Sequence, residues 1–314
     1  MTALKSLTAI NKQIETTQGR ISTGLRVNDA SDNAAYWSIA TTMKSDNKAL
    51  GTVQDALGLG ASKVDVAYTG MASALDVVDE IKSKLVAAKE PSADKAKIQS
   101  EIGELQNQLT SIAESASFNG ENWLSVDSSA ATYSATKSVV ASFSRASDGT
   151  VSVSTIDVDI TTTELFDAND QSGILDSTFT TGGAGAVTVS VSDLDITATN
   201  VDDTDLDDML SAVDAAFGLM TDAASALGAT SKRIDTQSEF VDTLMDAIER
   251  GVGQLVDADM EEESTRLQAL QTQQQLGIQA LSIANTSAQN ILSLSDRPNS
   301  ELLRARGLPK TAPF

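Results

Sequence analysis

The chain has 314 residues with 22 Lys and Arg against 44 Asp and Glu, a formal net charge of −22, and it contains neither His nor Cys. Without His there is no imidazole acid–base catalysis, no triad built on one and no HExxH zinc site; without Cys there is no disulfide, thiolate nucleophile or thiolate metal site. The acidic balance argues against nucleic acid and anionic membranes as partners, because both are bound through clustered Lys and Arg.

No apolar run approaches the ~20 residues that a transmembrane helix needs, and residues 1–30 lack the unbroken apolar stretch of a signal peptide. Hydrophobic residues make up 41% of the chain but aromatics only 4%, so the apolar content is Ala, Leu, Ile and Val, which suits narrow helical seams. Of four prolines only Pro91 precedes position 298, so little besides glycine interrupts helix before the tail. No cofactor or metal is expected, and the chain does not read as an enzyme.

In chain order, Leu4, Leu7, Ile14, Ile21 and Leu25 are spaced by three, seven, seven and four, which predicts one amphipathic helix. A turn-prone polar run, Val27 to Asn33, follows Gly24. Helical patterning resumes at Ala34 and runs through Met43, Leu50, Val53, Leu57, Val64, Met71, Leu75, Val78, Ile81 and Leu85. Gly51, Gly58, Gly60 and Gly70 each cost that helix about 1 kcal/mol relative to Ala, but none sits in a turn cluster, so one long helix is expected. Pro91 ends it. Ile98, Ile102, Leu105, Leu109 and Ile112 then give the cleanest heptad run, closed by the turn Phe118-Asn119-Gly120 with Trp123 as an anchor.

From 126 to 201 the composition shifts to Ser, Thr, Val and Asp. Alternation at Val151/Val153, Ile156/Val158/Ile160 and Val187/Val189/Val191 predicts short strands, with turns at Asp148-Gly149 and Gly182-Gly183. Helix returns after Asp203-Thr204-Asp205, read as an N-cap, and continues through Leu206, Leu210, Val213, Phe217, Ile234, Val241, Leu244, Ile248, Val252 and Leu255, then Leu267, Leu270, Ile278, Leu281 and Leu292. The expected fold is mainly α with a β-rich insert (α+β): a long helical hairpin of coiled-coil terminal helices with a small solvent-facing β module at its tip. The candidate assembly seam is Leu4, Leu7, Ile14, Ile21, Leu25, Leu267, Leu270, Ile278, Leu281 and Leu292. One hairpin seam buries little apolar area for so many ordered residues, so the arms are expected to fold fully only when packed among copies of the same chain.

The stretch Arg20-Ile21-Ser22-Thr23-Gly24-Leu25-Arg26-Val27, with Ala30-Ser31-Asp32-Asn33-Ala34-Ala35 after it, resembles the N-terminal signature of bacterial flagellins. Phe118-Asn119-Gly120 resembles their turn closing the N-terminal helical region, and Leu270 to Leu276, Ala280 to Asn285 and Ile291 to Leu294 resemble their C-terminal helix. Together these cover roughly 1–124 and 205–294, and Tyr36-Trp37-Ser38-Ile39-Ala40 is similar to the rhizobial branch. The resemblance implies a secreted subunit of the flagellar filament, exported by the flagellar type III apparatus and self-assembling into a homopolymer that supports motility. Its implied partners are an export chaperone, the cap and the hook-associated proteins. The implied layout places 1–27 and 255–294 as terminal coiled-coil helices in the filament core, 28–125 and 202–254 as a helical rod and 126–201 as a variable outer domain. Flagellins start several residues further upstream and stop just beyond Leu-Ser-Leu, so Met1 reads as a truncated or misassigned start. Residues 295–314, with Arg304, Arg306 and three prolines, read as a vector-derived or frameshifted tail. A hook–filament junction protein and a soluble signalling coiled coil are the alternative readings.

Other motifs carry less. Gly58-Leu59-Gly60-Ala61-Ser62-Lys63 lacks the order of a phosphate loop, Asp203/Asp205/Asp207 lacks the glycine of a calcium loop, and Asp257, Asp259, Glu261, Glu262 and Glu263 read as a solvated or intersubunit acidic patch. The resemblance also marks positions that host innate immune receptors read: Ser31 stands where Lys is usual, Tyr36 where Gly is usual, and Glu80 where receptor-activating flagellins carry Arg. The reversed charge at Glu80 repels an acidic receptor patch. Purified protein is therefore expected to activate plant and animal receptor reporters only weakly, and a potent response at ordinary doses would refute this reading.

Overall fold

In the computed structural model, which describes residues 2–295, the helical patterns become α1 (Thr2–Thr23), α2 (Ala34–Ala88), α3 (Lys95–Ser115), α4 (Asp203–Val256) and α5 (Met260–Ser295). Met1 and the tail beyond Ser295 lie outside the described residues. Between α3 and α4 come β1 (Ser117–Phe118), β2 (Glu121–Asn122), β3 (Ser125–Val126), β4 (Thr136–Arg145), β5 (Val151–Asp159), β6 (Phe166–Asp167), β7 (Phe179–Thr180) and β8 (Thr188–Val189). The strands pair as β1–β2, β3–β6, β4–β5 and β7–β8, of which only β3–β6 is parallel. The chain divides into two compact units, Met1–Lys44 with Glu249–Phe314, and Ser45–Ile248.

In the first unit α1 ends before Leu25, because Gly24 takes φ 71° and its N–H donates to the Arg20 carbonyl. Leu25 then bridges Asp257, Arg26 and Val27 both donate their N–H to the Val256 carbonyl, and Ala258 donates to that of Gly24. This short crossing interrupts the helical pattern read between Leu255 and Leu267. Asp259 caps the restart, accepting from the N–H of Glu261 at 3.0 Å and Glu262 at 3.2 Å. Two members of the supposed acidic patch, Asp257 and Asp259, thus belong to a helix break and a cap.

In the second unit α2 is unbroken through its glycines. Its buried stripe of Leu50, Val53, Leu57, Val64, Met71, Val78, Ile81 and Leu85 packs with Ile102 and Leu109 of α3 and with Leu206, Met209, Val213, Met220, Leu227, Ile234 and Val241 of α4. Two of the glycines explain themselves. A Cβ at Gly60 would lie 2.2 Å from Val139 Cγ1, and one at Gly70 would lie 2.7 Å from Leu124 Cδ1 and 2.8 Å from Ala116 Cβ. The insert sits directly against helix backbone at these positions, and that contact offsets the glycine's helical cost.

The β1–β2 hairpin turns at Asn119 (φ 53°) and Gly120 (φ 79°), the left-handed pair that Asn-Gly favours. Alternation marks β5 but not its partner β4, whose register slips between Val140 and Ser142. Within β5, Ile156 and Val158 are buried while Val151 and Val153 are 50% and 56% exposed, since the two runs fall on opposite faces. Asp202, rather than Asp203 to Asp205, caps α4: its Oδ1 accepts from the N–H of Thr204 at 2.9 Å and Asp205 at 3.0 Å. Gly182-Gly183 opens the loop that reverses the chain between β7 and β8, where Ala186 donates its N–H to the Gly183 carbonyl at 3.2 Å, and the loop is clamped to α4. The Gly182 N–H donates to Asp208, that of Ala184 to Asp202 and that of Gly185 to Asp205, and a Cβ on Gly183 would lie 2.4 Å from Asp205 Cγ. The Thr181 hydroxyl and backbone N–H donors hold the Asp205 carboxyl down at about 2, so the calcium-like aspartates fasten the insert to α4.

The glycines of α2 offer a direct comparison by urea unfolding of the isolated subunit. Gly51→Ala, with nothing within 4 Å of the new Cβ, should stabilise by about 1 kcal/mol, whereas Gly60→Ala should destabilise by about 1–3 kcal/mol through overpacking against Val139. Equal effects at the two sites would overturn the seating of β4 on α2.

Candidate assembly seam between the terminal helices

Helices α1 and α5 of the first unit meet along two uninterrupted heptads. On α1 the inward positions are Leu7, Ile10, Ile14, Thr17 and Ile21, at spacings of three, four, three and four; on α5 they are Glu263, Leu267, Leu270, Gln274, Gly277 and Leu281, at four, three, four, three and four. All eleven are half-buried or buried, with Leu270 at 7% and Thr17 at 4% exposure. The occupants that are not Leu or Ile do the locating. A Cβ on Gly277 would sit 3.3 Å from Leu7 Cδ1, the Gln274 amide donates to Asn11 at 2.7 Å, and Arg20 donates to Glu263 at 3.0 Å. Glu263 is 5% exposed, accepts also from Arg266 at 3.3 Å, and leaves Oε2 without a partner. It is an intramolecular buried ion pair, not part of a solvated patch.

Of the ten seam residues expected from sequence, Leu7, Ile14, Ile21, Leu267, Leu270 and Leu281 occupy this interface. Leu25 is half-buried in the bridge to Asp257 and not on α1. The side chain of Leu292 lies outside the described residues. Leu4 and Ile278 are 55% and 53% exposed, because the α5 heptad passes through Gly277 and turns its neighbour outward. The expected set lacks Ile10, and counting only Leu and Ile passes over Thr17, Glu263, Gln274 and Gly277; the unbroken three-four spacing is the signal that finds all five.

A second apolar stripe on α5 faces away from α1. Leu276 and Ile283, seven residues apart, are 59% and 66% exposed among the described residues, as are Ile278 and Leu4 at 53% and 55%. The positions expected from the resemblance to bear on host receptors are exposed as well. Ser31 is exposed with its N–H on Asp29 Oδ1 at 2.7 Å, Tyr36 is 43% exposed at the start of α2, and Glu80 is exposed near the C-terminal end of that helix. The Ser31 hydroxyl and N–H hold the Asp29 carboxyl below the usual carboxylate range.

The remaining motifs find structural roles. Gly58 to Lys63 lies inside α2, where the Lys63 ammonium pairs with Glu121 at 2.5 Å. Trp123 is buried as an anchor, while Trp37 is 38% exposed. Among the described residues no group of three or more Asp or Glu has the geometry to hold a metal ion, and no helix is long and apolar enough to cross a membrane.

Residues 1–129 match the bacterial flagellin N-terminal helical region and residues 210–294 the bacterial flagellin C-terminal helical region. Flagellin C of Rhizobium meliloti (strain 1021) is 54% identical over 310 residues, covering 94% of this chain and 96% of that protein. Flagellin A of the same strain is 48% identical, covering 94% and 97%, and a flagellin of Brucella melitensis biotype 1 is 47% identical, covering 94% and 95%. These matches favour neither a hook–filament junction protein nor a signalling coiled coil. A chain whose two ends match the two helical regions of one family, at such identity and coverage, belongs to the bacterial flagellins of rhizobial type, structural subunits of the flagellar filament.

Proposed function

We propose that this subunit polymerises by completing the second stripe of α5 with helices of neighbouring copies, so that folding of the terminal helices is finished by assembly. The observation that carries this reading is the exposure of Leu276 and Ile283, together on a face of α5 away from the seam occupied by α1. Burying each such side chain contributes about 1.5–3 kcal/mol, available only from another chain. In this arrangement 1–27 and 255–294 form the coiled-coil core of the filament, 28–125 and 202–254 the rod around it, and 126–201 the solvent-facing outer domain. The polar composition of the insert and the apolar ends support that order.

The same exposed stripe gives an export chaperone a surface to shield before secretion, and gives the cap and hook-associated proteins helices of matching type. The chain is read as carrying out no catalysis, which the structural roles of its carboxylates support: Asp259 caps α5, Glu263 pairs with Arg20 and Asp205 clamps the glycine loop. The substitutions at Ser31, Tyr36 and Glu80 support weak recognition by host innate immune receptors.

Electron microscopy of purified full chain and of a variant lacking residues 255–314 tests the polymer reading. Fibres are expected from the former and none from the latter; fibres from both would overturn it. Because each subunit carries net charge −22, the sedimentable fraction should rise on adding salt up to ~0.5 M, as screening shortens the range of repulsion, and a fall would count against the electrostatic part.

A further inference from the structure

An open helical polymer needs heterologous contacts, in which a surface on one copy meets a different surface on the next. The Ser45–Ile248 unit carries two such surfaces that its own fold leaves unmatched. The first is a groove of about 410 Å³ between α2 and α3, floored by Val66, Gly70, Ile112 and Ala116 and rimmed by Asp65 and Ser73. Its floor is apolar because Val66, Ile112 and Ala116 supply it, Gly70 itself being covered by Leu124.

The second is on α4, where Arg233 and Phe240, seven residues apart on one face, are both exposed, Phe240 at 57%; earlier along that face Leu219 and Ala226 turn instead to a cavity lined by the insert. Exposing a phenylalanine to this degree on a chain with 4% aromatics is a feature to be accounted for. Arg233 and the adjacent Lys232 form no salt bridge among the described residues, nor does Asp65, whose Oδ1 accepts only the Ser231 hydroxyl, at 3.0 Å. On a subunit of charge −22, Arg233, exposed without an ion-pair partner and one heptad before Phe240 on the same face of α4, complements the single carboxylate of Asp65 on the groove rim.

Helical geometry separates the two surfaces. Ser231 turns toward α2, and Phe240 lies nine residues on, about 900° at about 100° per residue, which places it on the opposite side of α4. One copy therefore cannot fill its own groove.

We propose that Phe240 of a neighbouring copy enters the groove between α2 and α3, with that copy's Arg233 set against Asp65. This contact rests on the reading of the chain as a polymer subunit and adds a lateral knob-into-groove interface to the terminal-helix seam.

The lack of native cysteine makes the test clean. In filaments of the Ser73→Cys, Phe240→Cys double variant, oxidation should give a ladder of dimers, trimers and higher species on non-reducing gels, because a disulfide forms only where Cα atoms come within about 7 Å. The same protein kept dilute and unpolymerised should remain monomeric. Should the double variant fail to polymerise, the two single variants, each mixed into wild-type filaments, should give cross-linked dimers only when both are present. Filaments without cross-links in either format would overturn the proposal while leaving the polymer reading intact; absence of fibres from the unaltered chain would overturn that reading itself. Independently, Phe240→Ser should raise the critical concentration for assembly about tenfold without moving subunit unfolding, and an unchanged critical concentration would overturn the contact.

Discussion

The pairing of α1 with α5 is the constraint on which the terminal unit depends. Its register is set less by the leucines, which would tolerate a slip of one heptad, than by three unlike layers. Arg20 meets Glu263, Asn11 meets Gln274 and Leu7 meets the bare backbone at Gly277. A buried ion pair contributes little net stability, because desolvation of both charges offsets their attraction. Misplacing it leaves a charge without a partner in a low-dielectric seam, and that penalty selects one alignment over its neighbours. Using Gly277 at an inward position has a further consequence: Ile278 and Leu276 are turned away from α1. Beyond the α1 seam the helix thus carries further exposed apolar side chains, with Leu276 and Ile283 together on one face.

The larger unit is organised by a different device, the direct seating of the insert on helix backbone. Gly60 and Gly70 open two flat places on α2 where Val139 and Leu124 come to rest. Polar clamps then fix the insert at its edges. Glu121 receives Lys63 at 2.5 Å and Lys137 at 3.1 Å, and Arg145 reaches Asp46 at 2.6 Å. Burial pushes the Glu121 carboxyl upward, but the two lysines outweigh it and hold the group below its ordinary range. At the far end of the insert Asp202, Asp205 and Asp208 gather the backbone N–H groups of Gly182 to Gly185, turning an acidic helix start into an anchor for a glycine-rich loop. An insert of short strands, none forming a sheet of more than two, cannot hold itself together and borrows its order from the helices beneath.

Both units meet the demands of a long subunit with few aromatics. Narrow aliphatic stripes on α2, α3 and α4 bury completely, as at Leu57, Ile102 and Ile234, whereas the outward faces are acidic and keep subunits apart until specific contacts overcome repulsion. The exposed Phe240 and the unfilled groove beside Gly70 are exceptions within that pattern, and both fall where a neighbouring copy has reason to dock.

The helical class, the break at Pro91, the Asn119-Gly120 turn and the family were legible in the residues themselves, because each rests on local chemistry: periodicity, a missing N–H, a left-handed turn, a contiguous motif. What required the tertiary structure were the choices made between remote segments. Leu25 leaves the helix to bridge Asp257, Asp202 rather than Asp203 caps α4, β4 hides behind a register slip, and Glu263 leaves the apparent acidic patch to meet Arg20. Gly60, Gly70 and Gly277 show why. A glycine's local cost is visible in sequence, but the benefit is the atom that approaches it from elsewhere in the chain, and only the folded structure supplies that partner.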